Sequence, residues 1–99
     1  MKIKAVVIGG GLGGLTAAIK LAGSGVDVTL FEKNSQCGGK ANQLFFEGFR
    51  FDTGPSLFTM DFVLKNLFAS INIPLETKLK LIPLDIICKY FYPDGSILN

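Results

Sequence analysis

The chain has no histidine, only two cysteines, and a single arginine among its ten basic residues. Without histidine, and with Cys37 and Cys88 far from any C-x-x-C spacing, it offers no recognisable zinc set, so no metal is expected. Imidazole acid–base chemistry is excluded on the same ground. The net charge is only +2, and Arg50 and the lysines are scattered. Base readout or phosphate clamping calls for a basic cluster, so no nucleic-acid partner is expected. Lys2, Lys4, Lys65, Lys78 and Lys80 read as solvated surface. No run of about 18 apolar residues is present, which excludes a membrane-spanning helix from the reading. Lys2 and Lys4 followed by apolar residues resemble a signal peptide, but five of the six positions from Gly9 to Gly14 are glycine. Such a stretch breaks an apolar helix, and no A-x-A-like cleavage site follows, so the expected location is the cytoplasm.

What is present is apolar and glycine-rich. Hydrophobic residues make up 48% of the chain and glycine contributes 12 residues, with a mean hydropathy of +0.43. A chain of 99 residues allows at most one small domain, against a usual ~100–200 residues each. It also buries a smaller share of its surface than a full enzyme domain does. The sequence stops at Ile97-Leu98-Asn99, within what reads as a returning strand, and the expectation is an N-terminal piece of a longer protein. No internal repeat or low-complexity segment is found.

The most informative run is Val6-Val7-Ile8-Gly9-Gly10-Gly11-Leu12-Gly13-Gly14. Gly9, Gly11 and Gly14 fit G-x-G-x-x-G, between an apolar strand (Ile3 to Ile8) and a helix read over Leu15 to Leu21. Gly9 permits the turn out of the strand, Gly11 lets backbone approach a pyrophosphate, and Gly14 lets the helix pack closely on the strand. The helix start then offers unpaired N–H groups and its positive dipole end to phosphate. Gly23-Ser24-Gly25 stops the helix, and Asp27 to Phe31 reads as a second parallel strand ending at Glu32. A carboxylate there accepts hydrogen bonds from the adenosine ribose and repels a 2′-phosphate, favouring FAD or NAD over NADP.

Further along, Gly38-Gly39-Lys40 reads either as a second phosphate or ribose contact or as an ordinary turn with a solvated lysine, and the upstream motif favours the contact. Cys37, in a loop beside the Gly38-Gly39 pair, is a candidate reactive thiol. Gln43 to Phe46 and Phe49 to Phe51 around Glu47-Gly48 predict an antiparallel hairpin, followed by a turn at Asp52-Thr53-Gly54-Pro55. A helix is expected from Met60 or Asp61 to about Ile71, ended near Pro74. Its stripe of Leu64, Leu67, Phe68 and Ile71 faces a core or, alternatively, lipid. Leu84 to Tyr92 predicts a long strand, covered on both faces or lining an apolar cavity, with Cys88 buried in it as a small hydrophobe. Pro93-Asp94-Gly95 turns the chain back. With no secretory signature, no disulfide is expected.

Taken together, Val7 to Glu32, Gly38-Gly39-Lys40 and Gly48-Phe49-Arg50-Phe51-Asp52-Thr53-Gly54-Pro55 resemble the N-terminus of phytoene-desaturase-like carotenoid desaturases, FAD-dependent enzymes of the amine-oxidase and protoporphyrinogen-oxidase type. The tail from Leu84 to Gly95 is similar to the hydroxycarotenoid 3,4-desaturase branch. The resemblance covers essentially the whole chain. It implies an α/β fold: a Rossmann-like FAD/NAD(P)-binding β-α-β unit with a parallel sheet, then an antiparallel hairpin region beginning a substrate domain. The implied division is a dinucleotide-binding core over 1–58, with a helix and strands over 59–99 leading into the substrate domain. It further implies that Gly9, Gly11, Leu12, Gly13 and Gly14 hold the FAD pyrophosphate, and that Glu32 holds the ribose with Lys33 beside the adenosine. Gly38, Gly39 and Lys40 match the family's second dinucleotide element, where the usual arginine is here a lysine that keeps the charge but loses the planar fork. Gly54, Pro55 and Ser56 match the segment that approaches the flavin ring. The implied activity is desaturation of a long carotenoid polyene, with peripheral membrane docking and no identifiable catalytic side chain. Two alternatives stay open: another FAD oxidoreductase of the superfamily, such as an amine oxidase or a retinol-saturase-like enzyme, and a non-catalytic dinucleotide-binding module.

Overall fold

The apolar run Ala5 to Ile8 forms the first strand, β1 (Lys4–Ile8), which lies beside β2 (Asp27–Phe31) as a parallel pair, with Lys4 opposite Asp27 and Ile8 opposite Phe31. The connecting helix α1 (Leu12–Gly23) packs on one face of this pair, over Ala5, Val7, Val28 and Leu30. This is a β-α-β unit. The computed structural model describes residues 1–99. Helix α1 starts at Leu12, three residues before the expected Leu15, so Gly13 and Gly14 lie within its first turn. It ends as the Gly23-Ser24-Gly25 signal requires. Gly25 adopts φ +85°, its N–H donates to the Ala22 carbonyl (2.9 Å), and the Val26 N–H donates to the Leu21 carbonyl (3.1 Å). That pair of bonds is a Schellman stop.

The hairpin follows as β3 (Gln43–Phe46) and β4 (Phe49–Asp52). Its two-residue turn has Glu47 at φ +47° and Gly48 at φ +83°, the left-handed pair of a type I′ turn, whose twist matches that of the strands. Leu44 faces Phe51 and Phe46 faces Phe49 across the ladder, so one side of the hairpin is wholly apolar, and all four side chains are exposed. Helix α2 (Asp61–Ala69) lies within the expected span, with Lys65 Nζ donating to Asp61 Oδ2 one turn back (2.5 Å). Its stop is made by Asn72 rather than Pro74. Asn72 sits at φ +58°, and the Asn72 and Ile73 N–H groups donate to the Ala69 and Phe68 carbonyls (3.0 and 3.1 Å), a second Schellman closure. A 3-10 turn at Leu75–Thr77 then folds back on α2.

The long strand expected over Leu84 to Tyr92 is not formed. Only β5 (Tyr90–Phe91) pairs, with β6 (Ile97–Leu98), across the Pro93-Asp94-Gly95 turn. Alternation provides faces, but a strand exists only where a neighbour accepts its hydrogen bonds. From Leu84 to Lys89 none does. Cys88 is accordingly exposed rather than buried, Leu84, Ile86 and Ile87 are exposed as well, and both cysteines are free.

The three two-stranded sheets do not merge, and the molecule is extended, 69 × 35 × 21 Å with a radius of gyration of 18.4 Å. A compact chain of this length has a radius near ~13 Å. Only Gly10, Leu67 and Leu75 are buried. The face of the parallel pair opposite α1 carries Val6, Ile8 and Phe31, all exposed. Parallel sheets ordinarily bury both faces, so this face is an unpartnered apolar surface. No helix is long and apolar enough to cross a membrane.

Candidate functional site

The site is assembled where β1 and β2 end. Gly9 leaves β1 at φ +98°, and its N–H still donates to the Phe31 carbonyl (2.7 Å), so the loop departs directly from the parallel ladder. A positive φ of this size is a glycine conformation. Gly11 then caps α1 with extended backbone (φ −72°, ψ 179°) and no side-chain hydrogen bond, and the first turn holds no acidic residue. Helix geometry leaves the N–H groups of Leu12, Gly13 and Gly14 without an intrahelical acceptor.

The glycines divide into two sets by what surrounds them. A Cβ placed on Gly9, Gly11 or Gly13 would meet nothing within 4 Å. That side of the loop is bare backbone facing open space, a cradle that side chains would fill. Gly10 and Gly14 face the protein: a Cβ on Gly10 would stand 2.6 Å from Cys37 Sγ, and one on Gly14 would run into the Gly9 carbonyl. A pyrophosphate fits this arrangement, because it needs close backbone approach, N–H donors and the positive helix end without a competing carboxylate.

Glu32 follows β2 and turns its side chain across the strand ends. Its Oε2 accepts from the Gly10 N–H (2.7 Å), while Oε1 accepts from the Asn34 backbone N–H and from Asn34 Nδ2 (both 2.9 Å). The Asn34 backbone N–H first, and that of Gly10 second, hold the carboxyl below the usual glutamate range. The group is therefore an ionised acceptor fixed beside the glycine loop, the chemistry a ribose diol calls for.

The second glycine pair docks on the first. The Gly38 N–H donates to the Gly10 carbonyl (2.7 Å), Gly11 and Gly38 form a parallel bridge, and a Cβ on Gly39 would stand 3.1 Å from Gly11 Cα. The structure thus brings together Gly9, Gly11, Leu12, Gly13, Gly14, Glu32, Gly38 and Gly39. Lys33 and Lys40 flank the cluster, exposed and in no ion pair. Gly54 packs on the backbone of Lys40 to Asn42. Gly54 and Pro55 line an open cavity of about 300 Å³ with Cys37, Asn42 and Asp52, while Ser56 lies outside its lining. No group of three or more histidine, cysteine or acidic side chains is arranged to hold a metal.

Gly10, Asn34 and Cys37 belong to the cluster although the sequence did not single them out for it. The signal for Asn34 was its place two residues after Glu32, within reach of a local side-chain hydrogen bond. For Gly10 the signal was a glycine at a variable position of the motif.

Comparison with known proteins agrees with the β-α-β fold. The NAD(P)-binding Rossmann-like domain family matches residues 7–71. Among curated relatives, 4,4'-diaponeurosporene oxygenase of Staphylococcus haemolyticus (strain JCSC1435) is 43% identical over 96 residues, covering 97% of this chain and 19% of the relative. The protein of the same name from Staphylococcus aureus (strain USA300) is 40% identical over 94 residues, covering 95% of this chain and 19% of the relative. The chain thus spans about a fifth of the length of the curated relatives it matches.

Proposed function

Since the chain belongs to the NAD(P)-binding Rossmann-like domain family, we propose that it is the N-terminal, cofactor-binding part of an FAD-dependent oxidoreductase acting on a long carotenoid polyene. The observation that carries the cofactor reading is the Glu32 carboxylate seated on the Gly10 N–H, beside a glycine loop whose outer side is bare. Similarity to the diaponeurosporene oxygenases along nearly the whole chain supports the carotenoid substrate. In this reading residues 1–58 form the dinucleotide core and 59–99 lead toward a substrate domain.

FAD, when bound, supplies a two-electron oxidation of a substrate C–H bond. The chain's own residues bind and orient. Leu12, Gly13 and Gly14 would donate N–H groups to the pyrophosphate, Glu32 would accept from the ribose hydroxyls, and Lys33 and Lys40 would add positive charge at the rim. Pro55 and Ser56 would lie toward the ring, while Gly54 packs on the main chain of residues 40–42. Neither nearby acid is built for proton transfer: Asp52 faces Arg50 across 3.7 Å in an exposed pair, and Glu47 occupies the hairpin turn. The exposed apolar residues from Ile86 to Tyr92 supply contacts for an apolar chain, and docking on a membrane surface delivers it.

Within this class the first reading is desaturation, and a second, oxygenation of the polyene, is favoured by the name of the relatives. The test is the absorbance spectrum of the purified full-length protein that contains this chain, followed by anaerobic titration with an acyclic carotene in liposomes. A flavin peak that bleaches with the carotene, and a product lighter by two hydrogens, supports desaturation. A product formed only with oxygen and heavier by oxygen supports oxygenation. A flavin peak indifferent to carotenes moves the reading to another FAD oxidoreductase. Absence of flavin refutes the FAD assignment and leaves a dinucleotide module of the NAD type.

A further inference from the structure

We propose that Gly54 is a positioning residue for the dinucleotide site, acting through the backbone of residues 38–42 rather than by touching the cofactor; this rests on the cofactor reading above. A Cβ at Gly54 would stand 2.7 Å from the Lys40 carbonyl oxygen, 2.8 Å from Ala41 Cα and 3.3 Å from the Asn42 nitrogen. All three are main-chain atoms, which cannot rotate away as a side-chain tip does. Nothing but glycine lets the chain after β4 lie this close to residues 40–42.

The contact continues to the cofactor loop without a break. The Thr53 N–H donates to the Asn42 carbonyl (2.9 Å), the Ala41 N–H to the Gly38 carbonyl (3.1 Å), and the Gly38 N–H to the Gly10 carbonyl (2.7 Å). Gly38 has no slack, since at φ +126° its own Cβ would collide with the Ala41 carbonyl. Gly39 rests on Gly11 Cα, and Gly10, where the path arrives, is one of the three buried residues. A displacement of residues 40–42 therefore reaches the Gly10–Gly11 backbone and the N–H that holds Glu32. The glycine after the hairpin sets the shape of a loop more than forty residues earlier.

The test is Gly54→Ala, with FAD and ADP compared as ligands of the purified protein. ADP carries the adenosine and pyrophosphate but no flavin ring. A positioning role predicts that both affinities fall by the same factor, about tenfold or more, with shifted amide signals at Gly10 and Gly38 and unchanged ones from Ala17 to Leu21 in α1. If FAD affinity falls while ADP affinity stays within twofold, Gly54 acts on the ring and the proposal is overturned. It is equally overturned if neither affinity moves. Should the variant not fold, hydrogen exchange in the ligand-free wild type decides: the Gly38 and Gly10 amides are protected if the brace is preformed, and exchange at open-loop rates if it is not. A wild type that binds neither FAD nor ADP refutes the cofactor reading itself, a result distinct from all of these.

Discussion

Gly11→Val and Gly14→Ala form a pair whose effects should separate in opposite directions. Gly11 has open space where its Cβ would be, at φ −72° and ψ 179°, an extended conformation that valine adopts without strain. A β-branched residue is a poorer helix cap than glycine, while the unfolded chain loses freedom on leaving glycine. These two effects oppose one another, and the net change in stability should stay within about 1 kcal/mol. The same side chain fills the cradle. A hydrogen bond to a charged group is worth about 1.5–3 kcal/mol, so losing even one pyrophosphate contact weakens binding roughly 10- to 150-fold. Gly14→Ala is the reverse case. Its methyl meets the Gly9 carbonyl on the helix–strand side, and overpacking of this kind costs about 1–3 kcal/mol. In a domain of this size that is a drop in Tm of about 4–8 °C per kcal/mol. Thermal unfolding by circular dichroism and FAD binding by flavin fluorescence quenching read the two quantities separately. If Gly11→Val keeps full affinity, the pyrophosphate does not lie over Gly11. If it loses as much Tm as Gly14→Ala, the division of the loop into a bare side and a packed side is wrong.

Other outcomes follow from the same geometry. Glu32→Gln, which keeps one acceptor, should weaken cofactor binding less than Glu32→Ala, and undiminished binding by Glu32→Ala would remove Glu32 from the ribose role. Because the native Glu32 carboxyl is held below its ordinary value, its bonds to Gly10 and Asn34 contribute fully above the unfolded pKa, near ~4.3. That contribution fades as pH falls through the lower native pKa; an NMR titration in which the Gly10 amide reports protonation at or above the ordinary glutamate value contradicts this. Leu67 and Leu75 are the only buried large side chains, and truncating either to alanine should cost about 2 kcal/mol, the low end for core leucines in so thin a core. Hydrogen exchange should show that loss within α2 and leave α1 unaffected. The apolar side of the hairpin and the bare face of the parallel pair predict concentration-dependent association of the isolated chain. Phe46→Lys with Phe49→Lys should reduce the light scattering, and a clean monomer at high concentration in the wild type would refute this expectation.

The features legible in the sequence are those set by contacts within a few residues or by stereochemistry alone. Glycine spacing after an apolar run specified the β1–α1 turn, Gly23-Ser24-Gly25 specified the helix stop, and Glu47-Gly48 between apolar runs specified the hairpin. Each depends on φ and on hydrogen bonds made locally. The position of Glu32 was legible as well, because a β-α-β unit of fixed lengths leaves little choice about which residue follows β2. Three features were decided by the tertiary structure. Gly10 and Cys37 meet, and Gly38 bonds to Gly10, because the chain after β2 folds back on the glycine loop, a contact over nearly thirty positions that no local pattern encodes. Gly54 owes its missing side chain to main chain at 40–42 that reaches it only through the hairpin. The run from Leu84 to Lys89 has the alternation of a strand yet forms none, since alternation describes which way side chains point, whereas a strand requires a second backbone to receive its hydrogen bonds.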